Sequence, residues 1–226
     1  MKPLKYFLQE ENKYNESHNG DNITLDFGEE SGGILWDAED ELLYFLRKRP
    51  FEKYSKASLE HIDETSKYGL SPIERTILSM FYGDCSAEFR DDLYRGCVPI
   101  FVMNMMEVLD SVVRKAPTTK HNILYRFCHD SDKIDMEEDE DIVFAFNLTC
   151  TADNWAKVWP PKESKVYIVY PLQNEFTRGH DLYKIYNKAN EKQVDFLRNT
   201  KFKVAKVKNL NDIDSKLIYL NELPNI

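Results

Sequence analysis

Pro117 divides this chain into two textures, and that division limits the folds open to it. Before it, apolar residues recur at helical spacing; after it, they gather into short β-rich runs. From Trp36 to Lys48, Asp37 is placed to cap a helix. Leu42, Leu43, Phe45 and Leu46 give that helix an apolar stripe, and Pro50 ends it. A second helix is expected over Ala57–Tyr68. The third is the best marked. Ser71 stands at the cap, Pro72 in the first turn and Glu74 three residues past the cap, followed by the stripe Ile73, Ile77, Leu78 and Phe81. A short helix over Ser86–Leu93 and a longer one over Phe101–Lys115 complete the first texture. Beyond Pro117 the strand candidates are Ile123–Phe127, Ile142–Thr151, Lys165–Tyr170, Gln193–Leu197, Lys201–Val207 and Lys216–Leu220. Arg198-Asn199-Thr200 is the expected hairpin turn, and the last run is expected at a sheet edge. Helices first and strands afterwards predict an α+β fold, not an alternating α/β one.

Residues 9–33 are polar and rich in Asn, Glu and Gly, so residues 1–35 read as an N-terminal arm or extension and residues 36–226 as the folded domain. The acidic run Asp130–Asp141 reads as a solvated loop. It lacks the glycine and spacing of an EF-hand.

Charge and motif content exclude several functions. The net charge is −9 and the basic residues form no stripe in the sequence, which disfavours nucleic acid as a partner. Cys85, Cys97, Cys128 and Cys150 have no C-x-x-C spacing and no histidine at ligand spacing, so no metal site is expected and reduced thiols are. His61, His121, His129 and His180 show no partner pattern and are expected on surfaces or loops. No apolar run approaches the ~20 residues that span a bilayer, and Met1–Tyr6 has no signal core. A protein without a membrane segment or signal peptide, cytoplasmic or delivered by another route, is the expectation. Neither G-x-G-x-x-G nor a P-loop occurs, so a nucleotide site must be built from side chains and strand edges.

Motifs between Leu70 and Leu210 fall in a telling order. Leu70-Ser71-Pro72-Ile73-Glu74 is followed by Tyr82-Gly83-Asp84 and Leu93-Tyr94-Arg95-Gly96. Next comes Leu109-Asp110-Ser111-Val112-Val113-Arg114-Lys115-Ala116-Pro117, which leads into Ile123-Leu124-Tyr125-Arg126. Farther on stand Thr149-Cys150-Thr151, Glu191-Lys192-Gln193-Val194 and Arg198-Asn199-Thr200-Lys201-Phe202-Lys203-Val204. This series resembles the arginine-type ADP-ribosyltransferases of bacterial toxins and phages. Their helix ends in Lys-x-Pro, and a first strand carrying Tyr-Arg follows. A Ser-Thr-Ser strand comes next, then a Glu-x-Glu pair ahead of a hairpin.

The resemblance implies a two-sheet mixed or antiparallel core and NAD as a substrate. Arg126, with Tyr125 beside it, would hold the NAD phosphates; a guanidinium suits this because its planar fork pairs two oxygens at once. Arg95 competes on its short motif but precedes the Lys-Ala-Pro helix. Thr149 would orient the catalytic carboxylate and line the nicotinamide pocket with Thr151, unless both are ordinary strand residues. Glu191 would activate the acceptor, and glutamate there goes with arginine as the target. The catalytic glutamate falls at Gln193, whose amide can hydrogen-bond a ribose hydroxyl but carries no charge. Losing one preorganised electrostatic element costs about 3–4 kcal/mol. Along a strand Glu191, Gln193 and Asp195 share a face, so Asp195 or Glu191 is considered as a substitute charge. A Gln193-to-Asp195 spacing of ~6–7 Å argues against Asp195. The expected function is an NAD-binding mono-ADP-ribosyltransferase-like protein with impaired or lost catalysis and an unidentified protein target. The alternative is an inactive interaction or structural protein of the same fold, as in a phage particle.

Overall fold

The computed structural model describes residues 67–82, 100–128, 135–153, 165–186, 192–210 and 215–225, without the side chains of 100–104. The expected arm 1–35, the helices Trp36–Lys48 and Ser86–Leu93, most of Ala57–Tyr68, and the residues Arg95 and Glu191 lie outside this set. The chain divides into two compact units, Met1–Val112 and Val113–Ile226.

In the first unit, α1 (Pro72–Phe81) begins as the sequence predicts. Gly69 takes a positive φ of 66° ahead of it, which suits a residue without Cβ. Glu74 N–H donates to Ser71 Oγ, and Ser71 N–H donates to Glu74 Oε2 at 2.7 Å, a reciprocal cap that answers two orphan donors. Ile73, Ile77, Leu78 and Phe81 are buried as their spacing implies, and so are Thr76, Ser79 and Met80. α1 is therefore covered on nearly every side. Glu74 does further work: its Oε1 accepts the Ser111 hydroxyl of α2 (Ile100–Lys115) at 2.8 Å. α2 buries Met105, Met106, Leu109 and Val112 and stops ahead of Pro117.

The second unit is built on β1 (Leu124–Cys128), β2 (Asp141–Phe144), β3 (Thr149–Thr151), β4 (Lys165–Tyr170), β5 (Gly179–His180), β6 (Gln193–Phe196), β7 (Thr200–Leu210) and β8 (Ser215–Glu222). Their order across the sheet is β2-β7-β8-β4-β1-β3-β6-β5. All neighbours are antiparallel except β4 and β8, so the sheet is mixed. The order is continuous, where two sheets are expected. The two halves meet at β1 and β3, and their register consists of one pair, Tyr125↔Thr151. So narrow a join leaves no sequence signal to separate one sheet from two.

Three further expectations are corrected. Arg198-Asn199-Thr200 is a turn but closes no hairpin: β6 pairs with β3 and β5, and β7 with β2 and β8, so the two runs part into different halves of the sheet. The run Ile142–Thr151 is two strands, not one. Phe146, Asn147 and Leu148 between them are buried, so apolar character continues across the crossing from one side of the sheet to the other. The C-terminal run is not an edge: β8 lies between β7 and β4, pairing in parallel with β4. Its alternating exposure reflects a sheet with one wetter face, a pattern that an interior antiparallel strand shares with an edge.

Phe144 packs edge-on against Phe146 and Phe202 at centroid distances of 5.4 and 5.6 Å, and Phe196 packs on Phe202 at 5.2 Å. Edge-to-face pairs of this kind add about 0.5–1.5 kcal/mol each beyond the area they bury. β5 fits against this cluster because residue 179 has no side chain: a Cβ there would meet Phe196 Cε1 at 2.9 Å and Thr119 Cγ2 at 3.0 Å. Both obstacles are themselves buried. Gly179→Ala is expected to lower unfolding free energy by about 1–3 kcal/mol, the usual cost of overpacking. Urea denaturation measures it, and an unchanged midpoint would show that β5 shifts freely.

Candidate active site

Residues directly opposite one another in a ladder share a face of the sheet. The registers Tyr125↔Thr151 and Thr151↔Gln193 therefore set Tyr125, Thr151 and Gln193 in one row across β1, β3 and β6. Thr149↔Asp195 and Asp195↔His180 set the adjacent row across β3, β6 and β5. Four of the residues expected from the sequence, Tyr125, Thr149, Thr151 and Gln193, thus lie on one face.

Arg126 joins them by a different route. Alternation along β1 points it the other way, beside the buried Tyr167 opposite it on β4. The β1–β3 register stops at Tyr125↔Thr151, and there the Arg126 guanidinium donates from Nη1 to the Thr149 carbonyl at 3.0 Å. A side-chain donor stands where the next ladder bond would have been. Arg126 is buried, so its charge sits inside the split between the two halves of the sheet.

The group that organises this place is Asp195. Its Oδ1 accepts the Thr149 hydroxyl at 2.7 Å, and its Oδ2 accepts Gln193 Nε2 at 2.9 Å. It is wholly buried. Burial pushes its carboxyl up to about 7, against the opposing pull of the Thr149 and Gln193 hydrogen bonds and the Arg126 guanidinium. The expected objection to Asp195, its distance along the strand, does not hold for the side chains. The spacing separates the Cα atoms, and the long Gln193 side chain bridges it. The signal for Asp195 was available in the sequence as a carboxylate inside the short apolar run Val194-Asp195-Phe196-Leu197.

The neighbours have settled roles. Thr151 Oγ1 accepts the Asp153 N–H at 3.1 Å, while Asp153 Oδ2 accepts the Lys192 N–H at 3.1 Å, and Ala152 N–H donates to the Lys192 carbonyl. The residue ahead of Gln193 is thereby clamped to the end of β3. Cys150 points to the opposite face of β3, and burial pushes its thiol well above the ordinary value, so it is no thiolate. His180, expected on a surface or loop, is buried in β5 with Nδ1 2.7 Å from the Ala116 carbonyl. Burial holds its ring below the usual imidazole value.

A second buried carboxylate was missed by sequence reasoning. Glu222 accepts from Leu172 N–H, Thr177 Oγ1 and Arg178 N–H at 2.8, 2.8 and 2.6 Å. Arg178 in turn donates to Thr200 Oγ1 and to the Arg198 carbonyl, tying the loop ahead of β5 to the β6–β7 turn. Nothing in its local sequence marks Glu222, because its partners come from a segment far away in the chain.

Among the described residues no group of three or more His, Cys, Asp or Glu side chains is placed to hold a metal, and no helix is long and apolar enough to cross a membrane.

No family model and no curated protein matches the sequence. Solved structures do match. The type III effector XopAI of Xanthomonas axonopodis pv. citri superposes with a TM-score of 0.64 at 10% identity, over 98% of this chain and 100% of that one. Exoenzyme S from Pseudomonas aeruginosa, in a structure with human 14-3-3 protein beta and carba-NAD, gives 0.59 at 16% identity over 82% and 89%. The ADP-ribosyltransferase Vis from Vibrio splendidus gives 0.53 at 16% identity over 79% and 87%. The chain has an ADP-ribosyltransferase-like fold.

The burial of Asp195 sets a pH dependence. Its carboxyl stands at about 7 in the folded protein against an ordinary 3.8, so the folded state holds a proton that the unfolded chain has released. The contribution of this group to stability therefore falls as pH rises from about 4 to about 7 and is flat above. Asp195→Asn removes that loss, so relative to the parent protein the variant should gain stability between pH 5 and pH 8. Thermal melts of both proteins at the two pH values read the gap, and an equal gap at each would contradict the buried charge.

Proposed function

We propose that the Val113–Ile226 unit binds NAD and is a mono-ADP-ribosyltransferase domain with slow or vestigial turnover, directed at arginine. One observation carries the reading. Arg126, Thr149, Asp195 and Gln193 form a single hydrogen-bonded cluster at the split between β1 and β3. Neighbours of the same fold are ADP-ribosyltransferases, and one is solved with carba-NAD, which supports NAD as the ligand.

The chain's residues divide the work as follows. Arg126, fixed by the Thr149 carbonyl, pairs with the NAD phosphates. Gln193 hydrogen-bonds a hydroxyl of the nicotinamide ribose, with Tyr125 and Thr151 lining the same row. In the reaction the bond between the nicotinamide nitrogen and ribose C1′ breaks, and nicotinamide leaves with the electron pair. A guanidine nitrogen of the acceptor arginine forms the new bond and gives up its proton, for which Glu191 is the base we assign. Positive charge develops on the ribose as the first bond breaks. A neutral carboxamide at 193 answers that charge poorly, and the buried Asp195 answers it only from behind. This is the ground for slow turnover: loss of one such electrostatic element lowers rates by about 10²–10³.

The same neutral carboxamide favours a second reading, a domain that binds NAD or a protein without chemistry, as a structural or interaction component of a particle. The neighbours include toxins and a type III effector, so delivery to another cell is the setting we propose for either reading.

Incubation with labelled NAD and agmatine or a lysate, alongside calorimetry, separates the readings. The parent protein should bind NAD, and Arg126→Ala should weaken binding at least tenfold, the scale of a charge-assisted hydrogen bond of about 1.5–3 kcal/mol. Transfer that disappears with Arg126→Ala supports the enzyme. Binding without transfer supports the second reading, and no binding at all defeats the NAD assignment.

A further inference from the structure

An amide side chain has one donor end and one acceptor end, and it shows its surroundings whichever end is not engaged inside. Gln193 spends its Nε2 on Asp195 Oδ2 at 2.9 Å. An ionised carboxylate only accepts, so while Asp195 is charged the amide has one choice of orientation. The other carboxylate oxygen is held by the Thr149 hydroxyl, which fixes the plane of the Asp195 carboxylate and with it the direction from which Gln193 approaches. Asp195 is wholly buried and touches no solvent, while Gln193 keeps a small exposure of 8%. Gln193 is therefore the member of the pair placed to meet a ligand.

We propose that Asp195 is the positioning residue of this site: it turns the Gln193 carboxamide so that Oε1 faces the ligand as an acceptor, and protonation of Asp195 reverses that orientation. The ligand class follows from the chemistry, a group that donates a hydroxyl, such as a ribose. That identification rests on the NAD reading above; the pair's geometry does not.

The reversal follows from hydrogen-bond bookkeeping. A protonated Asp195 has an O–H to give. Donating it to Gln193 Oε1 turns the amide over and puts Nε2 outward, a donor facing a donor hydroxyl. The groups around Asp195 leave it free to act as the titrating member. Thr149 on β3 donates to it and does not titrate. Cys150 on β3 is held as a neutral thiol by burial, and Arg126 from β1 stays cationic throughout. His180, opposite it on β5, commits Nδ1 to the Ala116 carbonyl, and burial favours its neutral ring. The Asp195 carboxyl is pushed up to about 7, which puts the reversal at neutral pH.

The test is a titration of the full chain from pH 5.5 to 8.5. The side-chain NH₂ signals of Gln193, assigned by their loss in Gln193→Met, are followed by NMR, and NAD affinity is followed by calorimetry. The signals should move through a midpoint near 7, and NAD affinity should rise with pH across the same range by about tenfold, one hydrogen bond's worth. In Asp195→Asn both profiles should be flat, which loss of a merely structural contact would not produce. Should that variant fail to fold, the parent titration decides alone. Gln193 signals that do not titrate overturn the proposal, even if NAD binds and Arg126→Ala abolishes binding. Signals that titrate without any NAD binding uphold the Asp195–Gln193 device and overturn the NAD reading instead.

Discussion

A carboxylate removed from water is costly unless both its oxygens and its charge are answered. Asp195 is wholly buried, and the answers it receives come from three strands: the Thr149 hydroxyl on β3, the Gln193 amide on its own β6, and the Arg126 guanidinium from β1. The rest of the second unit is arranged so that these can meet. β1 and β3 must part after Tyr125↔Thr151, since otherwise the backbone ladder would take the Thr149 carbonyl that Arg126 now uses. β6 must hold its register against β3, and the Asp153–Lys192 clamp secures that at the strand's first residue. Even with these partners burial prevails and the carboxyl is raised, so this cluster costs stability at neutral pH. Carboxylates buried at such cost cluster at functional sites.

The aromatic core supplies the rigidity that such a cluster needs. Phe196 follows Asp195 directly and packs on Phe202, which packs on Phe144. Alternation along β6 sends Phe196 into the core on one face and Asp195 to the other. Glu222 and Arg178 hold the far end of β6 through the turn at Arg198–Thr200, so β6 is restrained at both ends. The positions of Gln193 and Asp195 are thus set by packing and hydrogen bonds outside the site.

What the sequence discloses is local. The Ser71–Glu74 cap, the stripe of α1 and the end of α2 before Pro117 are all read from spacing, because each depends on residues within a few positions. Arg126, Thr149 and Gln193 stand in motifs of the sequence, and in the structure the Thr149 carbonyl and the Asp195 carboxylate link them by hydrogen bonds. What escapes the sequence depends on pairing across the sheet. One apolar run conceals two strands and a crossing, because buried loop residues look like strand residues. The place of β8 is fixed by a parallel partner fifty residues earlier in the chain. Asp195 is legible only as a candidate substitute charge weighed against strand spacing, which measures backbones and not the reach of a glutamine. Glu222 had no local signal at all.

On the NAD reading we propose, the Arg126–Thr149–Asp195–Gln193 cluster is the floor of the site. The most direct test is a crystal structure of the protein with NAD. The pyrophosphate should lie against the Arg126 guanidinium, with a hydroxyl of the nicotinamide ribose within hydrogen-bond distance of Gln193 Oε1. NAD bound elsewhere, or with its ribose turned away from Gln193, would contradict that reading.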